Sequence, residues 1–444
     1  MSRTPLPTVA YGKLRYLFVG AILLVLAAAT VFLKIATTAG SVAAVIYIVF
    51  LIWVVVQIGL AIADRPRFAT GADSPDGLTI AALVPVYNED VPALRGCLEG
   101  FLTQTRRPDA VAVVNDGSSI ELDYSEVRDW FLGECAALGI RGHWIDQANS
   151  GKRHAQIAGM RREPDADIYL TVDSDSILDR NATSEAMKAF ADPEVQSVAA
   201  VILSTNYRSS LLTRMMDVFT VGLQLFERSA FSRLNSVMVN SGGCAFYRGE
   251  VIRDNVELYL NETLAGRRVN FSDDSLLTLF ALQRGKTVQQ PTAFAFTLMP
   301  AKLSHHVRQQ LRWMRGSFIR SGWRMRFLPM TGAAYWLHMM KWIAYGTMTS
   351  TLIMLVVTGK LLDPWMLASG MLAAVTLYVL TAFRYLAVVR SDQSTAQRWL
   401  TFATAPLAAI WGLTFLRVLR WYAMATVLNL GWGTRAVVEV RADS

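Results

Sequence analysis

The sequence predicts an α/β domain on a mostly parallel sheet flanked by helices, held between membrane-spanning and interfacial helices. Three observations carry this. Residues 75–300 alternate short apolar runs with helix-periodic runs, the pattern of parallel strands joined by helical crossovers. Long apolar stretches lie on both sides of that segment. Within it, polar residues collect where the apolar runs stop, which is where open α/β sheets bind ligands.

The 444 residues are 53% apolar and only 18% charged, a balance unusual for a soluble enzyme. "YLFVGAILLVLAAATVFLKI" (16–35) and "SVAAVIYIVFLIWVVVQIGLAIA" (41–63) are each long enough to cross a bilayer core of roughly 30 Å. The first is too long for the apolar part of a cleaved signal peptide, and a second run follows at once, so residues 1–68 are expected to keep two spans. Arg3, Lys13 and Arg15 precede the pair; Arg65 and Arg67 follow it. The positive-inside rule then places both flanks, and the 75–300 domain, on the cytoplasmic side of a multi-pass protein of the cell membrane. The net charge of +8 serves that topology and contact with anionic membrane lipids. No Lys/Arg run interleaved with aromatics points to nucleic acid. Cys97, Cys135 and Cys244 lack zinc or redox spacing, and no disulfide is expected.

"GLTIAALVPVYNED" (77–90) reads as a strand stopping at a polar turn, "VPALRGCLEGFLTQ" (91–104) as a helix and "DAVAVVNDGSS" (109–119) as a second strand. "YSEVRDWFLGECAALG" is helical, a short strand ends at Asp146, "KRHAQIAGMRR" is helical again, and "ADIYLTVDSD" is the next strand. Four polar clusters fall at strand ends: "YNED", "NDGSS", the Asn149–Lys152 turn and "DSDS". Neither G-x-G-x-x-G after the first strand nor G-x-x-x-x-G-K-[ST] is present, so dinucleotide and P-loop chemistry have little support. Asp173 and Asp175 share a face while the backbone is extended, and two like charges there need a cation or donor between them. Alone, the pair also suits a solvated Asx turn. In line with three other polar strand ends, it reads as carboxylates that work with Mg²⁺ or Mn²⁺ on a diphosphate.

The ordered set "VPVYNED", "VVNDGSS", "NSGKRHAQIAG", "TVDSDSIL", "NSGGCAFYR", "FSDDSLLT" and "RQQLRWMRGSF", with a later "GWGTR" (431–435), resembles the processive family 2 glycosyltransferases. Within them it is most similar to hyaluronan synthases and nodulation-type chitooligosaccharide synthases. The resemblance implies a GT-A-like nucleotide-sugar-binding domain, a UDP-sugar donor and a growing glycan acceptor. It implies that Tyr87, Glu89 and Asp116 hold the uridine, with Lys152 near the nucleotide. Asp175 would ligate the metal, and Asp173 would support both metal and donor sugar. Turn chemistry before Gly117 is the plainer account of Asp116, and a helix-start cation that of Lys152. Asn115 stands where the family usually has a second Asp.

Inverting transfer needs a carboxylate opposite the leaving diphosphate. By resemblance this is Asp274, with Asp273 orienting the site; "SDDS" before an apolar run is also a helix-cap pattern. Ser275 stands where the family usually carries Arg. Gln309, Arg312 and Trp313, at i, i+3 and i+4, share a helix face. Arg312 suits the developing charge of the leaving group, Trp313 stacking on the acceptor sugar, and Gln309 a chain hydroxyl. The same helix reads as amphipathic and interfacial over 301–330, with Arg308, Arg315, Arg320, Arg324 and Arg326 as headgroup contacts. Ser241, Cys244, Trp432 and Arg435 are expected on the acceptor side by resemblance; a small buried strand Cys is the alternative for Cys244.

The C-terminal block, 331–444, is expected to hold spans near 333–359 and 364–389, then a segment, 400–428, interrupted by Pro406, Arg417 and Arg420. That segment could be one tilted span or a re-entrant pair; "GWGTR" on the cytoplasmic face favours the latter. Arg384 suits a headgroup contact or a wet sugar path. The function expected is a membrane-embedded, inverting, metal-dependent synthase that elongates and exports a β-linked polysaccharide. The alternatives are a non-processive transferase acting on a lipid or short oligosaccharide, and a non-catalytic assembly or transport subunit. Donor identity, product length and oligomeric state carry no signature in the sequence.

Overall fold

The computed structural model describes residues 6–12, 17–37, 42–68, 75–359 and 363–431. The N-terminal strand β1 (Val9–Tyr11) leads into two apolar helices, α1 (Leu17–Thr37) and α2 (Val42–Ala63). The first sheet strand, β2 (Ile80–Val86), is buried at every position, as a strand covered on both faces must be. Helix α3 (Val91–Leu102), β3 (Ala110–Asn115), α4 (Ser125–Leu138), β4 (Arg141–Asp146), α5 (Lys152–Met160) and β5 (Ile168–Thr171) follow in strict alternation. The short β6 (Ile177–Leu178), β7 (Val195–Ser204), α6 (Leu211–Leu223), β8 (Ala245–Arg248), α7 (Asp273–Arg284) and β9 (Lys286–Thr297) complete the domain.

The eight strands lie in the order β4-β3-β2-β5-β8-β7-β9-β6. The sheet is mostly parallel, as expected, and also carries antiparallel ladders, so it is mixed. Four ladders are parallel, β4–β3, β3–β2, β2–β5 and β7–β9, while β5–β8, β8–β7 and β9–β6 are antiparallel. The reason is local. The chain leaves β7 at the edge where β2, β3 and β5 also end, wanders through α6, and re-enters β8 from that same edge, with no crossover to reverse it. The start of β8 therefore joins the strand ends instead of opposing them.

Among the described residues four helical stretches are long and apolar enough to cross a membrane, Leu17–Ala36, Ala333–Val357, Pro364–Ala387 and Thr395–Ala425, and Tyr47–Ala63 within α2 is a shorter apolar one. After the long helix α8 (Leu303–Phe327) come α9 (Ala333–Val357) and α10 (Pro364–Ala382). The last stretch is broken into α11 (Thr395–Phe402), α12 (Ala405–Leu413) and α13 (Phe415–Ala425). Pro406 falls in the first turn of α12, where a missing N–H costs nothing, so it begins a helix rather than kinking one. Thr30 and Thr376 hydroxyls meet at 2.7 Å between α1 and α10.

One join has no precursor in the sequence patterns. β1 pairs antiparallel with β10 (Val388–Arg390), which follows the 3₁₀ helix Phe383–Ala387 at the end of α10, and the Val9 N–H donates to Asp179 Oδ1 at 2.8 Å. Arg384, expected at headgroups or along a sugar path, instead donates to the carbonyl of Ala61 at 2.7 Å, to that of Leu225, and to the Tyr11 hydroxyl at 2.6 Å. It ties α2, the domain and β1 together.

Candidate active site

Because β2, β3, β4 and β5 are parallel neighbours, their C-terminal ends fall along one edge, and a cavity of about 1050 Å³ opens there. Tyr87, Glu89, Asp116, Lys152, Asp173 and Asp175 all line it, as do Asp273, Asp274, Gln309, Arg312, Trp313 and Ser241. Residues that are far apart in sequence thus share one chamber.

On the strand-end side, the loops are cross-braced. Asn88, at φ +48°, accepts from the Ser119 N–H at 2.7 Å, joining the ends of β2 and β3. The buried Glu89 carboxylate accepts from Ser174 Oγ at 2.7 Å, joining the end of β2 to the Asp173–Asp175 turn. Asp116 does more than turn chemistry: its carboxylate accepts from Gln147 Nε2 (2.7 Å), Ser150 N (2.9 Å) and Gly151 N (2.8 Å). It thereby shapes the loop that delivers Lys152. Gly117 sits at φ +73°, and a Cβ there would stand 2.6 Å from Asn149 N, so no other residue lets these two loops approach so closely.

Lys152 connects the two halves. Its Nζ lies 2.7 Å from Asp173 Oδ1 and 2.9 Å from Asp273 Oδ2. Burial works against its charge, but the two carboxylates hold its pKa above the ordinary lysine value. Asp273 and Asp274 occupy the first turn of α7. Burial opposes ionisation of Asp273, yet Lys152 brings its pKa below the usual range. For Asp274, burial and the adjacent Asp273 charge push the pKa up to about 6. Neighbouring carboxyls with opposite shifts are the arrangement that separates a permanent anion from a proton acceptor.

The third wall is α8. Gln309, Arg312 and Trp313 face the cavity together, and the Trp313 ring remains about half exposed. Of the five arginines expected at headgroups, Arg308 and Arg326 are exposed. Arg320 and Arg324 are not, and that expectation is corrected. Arg320 is fully buried against Glu262 at 2.7 Å, and Arg324 is buried and donates to the Met238 carbonyl. Arg315 donates to Thr426 Oγ1 at 2.9 Å, joining α8 to the end of α13. Arg320 packs against the first turn of α7 through Ser275, and Arg324 against the backbone at Met238, so these two side chains face protein although their helical spacing is that of a polar stripe.

On the acceptor side, Ser241 lines the cavity and accepts from Arg228 at 2.6 Å. Cys244 does not reach it. Its side chain is fully buried in the apolar core, at the bend just before β8 begins, and burial pushes its thiol pKa up. Trp432 and Arg435 lie outside the described residues.

A divalent cation suits what is here. Asp173 and Asp175 offer hard carboxylate oxygens to the cavity, and a Cβ at Gly242 would stand 3.2 Å from Asp173 Oδ2, so the glycine keeps that oxygen accessible. Among the described residues no group of three or more His, Cys, Asp or Glu converges as a metal site. A cation held by one or two carboxylates and completed by phosphates matches Mg²⁺-type chemistry.

The sequence patterns did not mark Glu262, Arg153 or Arg320 as part of the site. Glu262 and Arg153 are unremarkable in their own segments and Arg320 reads as a headgroup contact; the three acquire this meaning only through partners 58 to 109 residues away.

A mixed sheet with carboxylates at its strand ends, a buried helix-start acid pair and an arginine-bearing wall define a glycosyltransferase of the GT-A type. Residues 75–316 match the family described as "Glycosyltransferase like family 2". The chain is 30% identical over 403 residues to a hyaluronan synthase of Streptococcus pyogenes, covering 88% of this chain and 91% of that one. It is 34% identical over 241 residues to an N-acetylglucosaminyltransferase of Azorhizobium caulinodans, covering 54% and 59%. In fold it is similar to a mannosyltransferase from Pyrobaculum calidifontis, determined in complex with GDP-Man and Mn²⁺, at a TM-score of 0.52 and 21% identity over 88% of this chain and 99% of that one. The chain belongs to glycosyltransferase family 2.

Proposed function

We propose that the chain is a membrane-embedded, inverting synthase that takes a sugar from a UDP-sugar and adds it to a growing β-linked polysaccharide of the hyaluronan or chitin kind. The supporting observation is the pairing across one cavity of Asp173 and Asp175 with Asp274, whose proton affinity is raised where a general base needs it. The family resemblance and the relatives' activities supply the substrate class.

In this reading Tyr87 and Glu89 bound the uridine, and Asp116 acts by shaping the loop beneath it. Asp175 and Asp173 hold Mg²⁺ or Mn²⁺, which when bound neutralises the donor diphosphate. Lys152 adds a fixed positive charge between Asp173 and Asp273. Arg312 donates hydrogen bonds to the departing UDP as negative charge grows on it. Trp313 supports the acceptor ring, and Gln309 and Ser241 hold its hydroxyls. Asp274 takes the proton of the attacking hydroxyl, while Asp273 stays ionised beside it. The domain faces the cytoplasm. Exposed Phe327, Met330 and Trp336, with Arg308 and Arg326, meet the lipid interface, where aromatic and basic side chains are favoured.

The test uses the full chain in detergent with radiolabelled UDP-N-acetylglucosamine, UDP-glucuronate and UDP-glucose, alone and in pairs, with Mn²⁺ or Mg²⁺. UDP release with formation of a large labelled product is the expected result. No turnover of any donor with either metal overturns the proposal.

A further inference from the structure

Directly before Asp273 and Asp274 stands Ser272 at φ +63° and ψ 38°, a left-handed conformation that non-glycine residues adopt only where their surroundings impose it. Those surroundings are specific. The Phe271 carbonyl accepts from Arg153 Nη2 at 3.0 Å, and the Ser272 carbonyl from Arg320 Nη2 at 3.3 Å. Arg320 Nε also donates to Ser275 Oγ at 3.1 Å, and the Ser272 and Ser275 hydroxyls meet at 2.6 Å. The carbonyls on both sides of the bend are therefore gripped by two guanidinium groups from different helices, α5 and α8.

Two guanidinium groups buried side by side need a shared counter-charge, and Glu262 provides it. Its Oε2 lies 2.7 Å from Arg153 Nη2, and its Oε1 lies 2.7 Å from Arg320 Nη1 and 2.8 Å from Trp323 Nε1. Gly316 completes the fit, since a Cβ there would lie 2.6 Å from Ser272 Oγ. Arg153 follows Lys152 in sequence, and Arg320 lies two turns beyond Arg312 on α8. One carboxylate thus ties together the helices that carry the lysine, the acid pair and the leaving-group arginine.

We propose that Glu262 is a positioning residue for the base: through Arg153 and Arg320 it fixes the Phe271–Ser275 bend so that Asp274 meets the acceptor hydroxyl. The proposal rests on Asp274 as the base. Glu262 does not line the cavity. Its effect is on alignment at the reacting centre, where small displacements cost large factors in rate.

The experiment compares wild type, Glu262→Gln and Ser275→Ala as full chains in detergent. It measures kcat, donor KM and the Kd of UDP with Mn²⁺. Glu262→Gln should lower kcat at least about tenfold, and Ser275→Ala, which removes only the outermost link, about three- to fivefold. Donor KM and UDP affinity should stay within about twofold in both, the signature of an interaction felt only at the transition state. Should Glu262→Gln fail to fold, Ser275→Ala decides. Unchanged kcat in folded variants overturns the inference, and so does a parallel loss of kcat and UDP affinity, which would mark a purely architectural role. Inactive wild type would instead overturn the functional proposal, so the two failures are distinct.

Discussion

The two sides of the cavity are built on different principles. The donor side is a row of strand ends, and the topology of neighbouring parallel strands is enough to line them up. The base side has no such template. There, α7 and α8 are held by buried ion pairs between residues far apart in sequence, and a strained Ser272 aims the acid pair. Sheet topology makes the donor side robust and locally encoded. The base side depends on a few exact partnerships.

The largest expected effect breaks the base side at its functional end. Asp274→Asn keeps the size of the side chain and an acceptor oxygen for the Ser275 N–H but cannot accept the hydroxyl proton. It should lower kcat by about 10²- to 10⁴-fold while UDP binding with Mn²⁺ stays within about twofold. Equal loss of both would make Asp274 a binding residue. The same group sets a pH dependence. Its carboxyl is held up at about 6 by burial and Asp273, and only the ionised form accepts a proton. Activity should therefore fall about tenfold per pH unit below 6 and level off above it. An acid limb at the ordinary aspartate value would show that Asp274 is not the titrating base.

Next in size is the contrast between arginines on the same helix. Arg320→Ala leaves Glu262 with half of its counter-charge, and removing one partner of a buried pair costs about 3–5 kcal/mol. Arg308→Ala, exposed, should cost less than about 0.5 kcal/mol. Thermal unfolding in detergent compares them, and equal losses would erase the distinction between the core and lipid-facing sides of α8.

On the donor side, Asp175→Ala should weaken UDP binding in the presence of Mn²⁺ by about 10- to 100-fold and leave the metal-independent part unchanged. Titration calorimetry with and without the cation reads this directly. Binding that is the same in both proteins would return the Asp173–Asp175 turn to a solvated loop.

This contrast also explains what was legible in the sequence. The end of each parallel strand was visible because an apolar run stopped at polar residues, and neighbouring strands bring such stops together without further information. The clusters that hold Tyr87, Asp116, Asp173 and Asp175 are legible that way, whereas the roles of these residues follow from the family resemblance. The antiparallel entry of β8 was not visible, because direction depends on where the connecting chain returns. Glu262 was invisible for a stronger reason: no local period marks a carboxylate whose partners are Arg153 and Arg320. Helical periodicity even misled on Arg320 and Arg324, since a polar stripe packed against α7 and the Met238 backbone has the same spacing as one facing headgroups. The pairing of β1 with β10 belongs to the same class of long-range facts.

The smallest expected effect concerns Cys244, which family resemblance put at the acceptor and the structure puts in the core. Motif proximity and cavity proximity separate here: Ser241, Gly242 and Gly243 line the cavity from the turn, and Cys244, at the bend before β8, packs into the core beneath. A thiol this deeply buried, with its pKa pushed up, presents almost no thiolate to a reagent. Cys244→Ala should leave kcat and donor KM within about twofold and lower stability by about 1 kcal/mol, the scale of one small buried group. In the native protein Cys244 should resist maleimide until the domain unfolds. Rapid labelling that UDP-sugar and acceptor suppress would put the thiol in the cavity after all, and would require β8 to be shifted by one residue relative to β5.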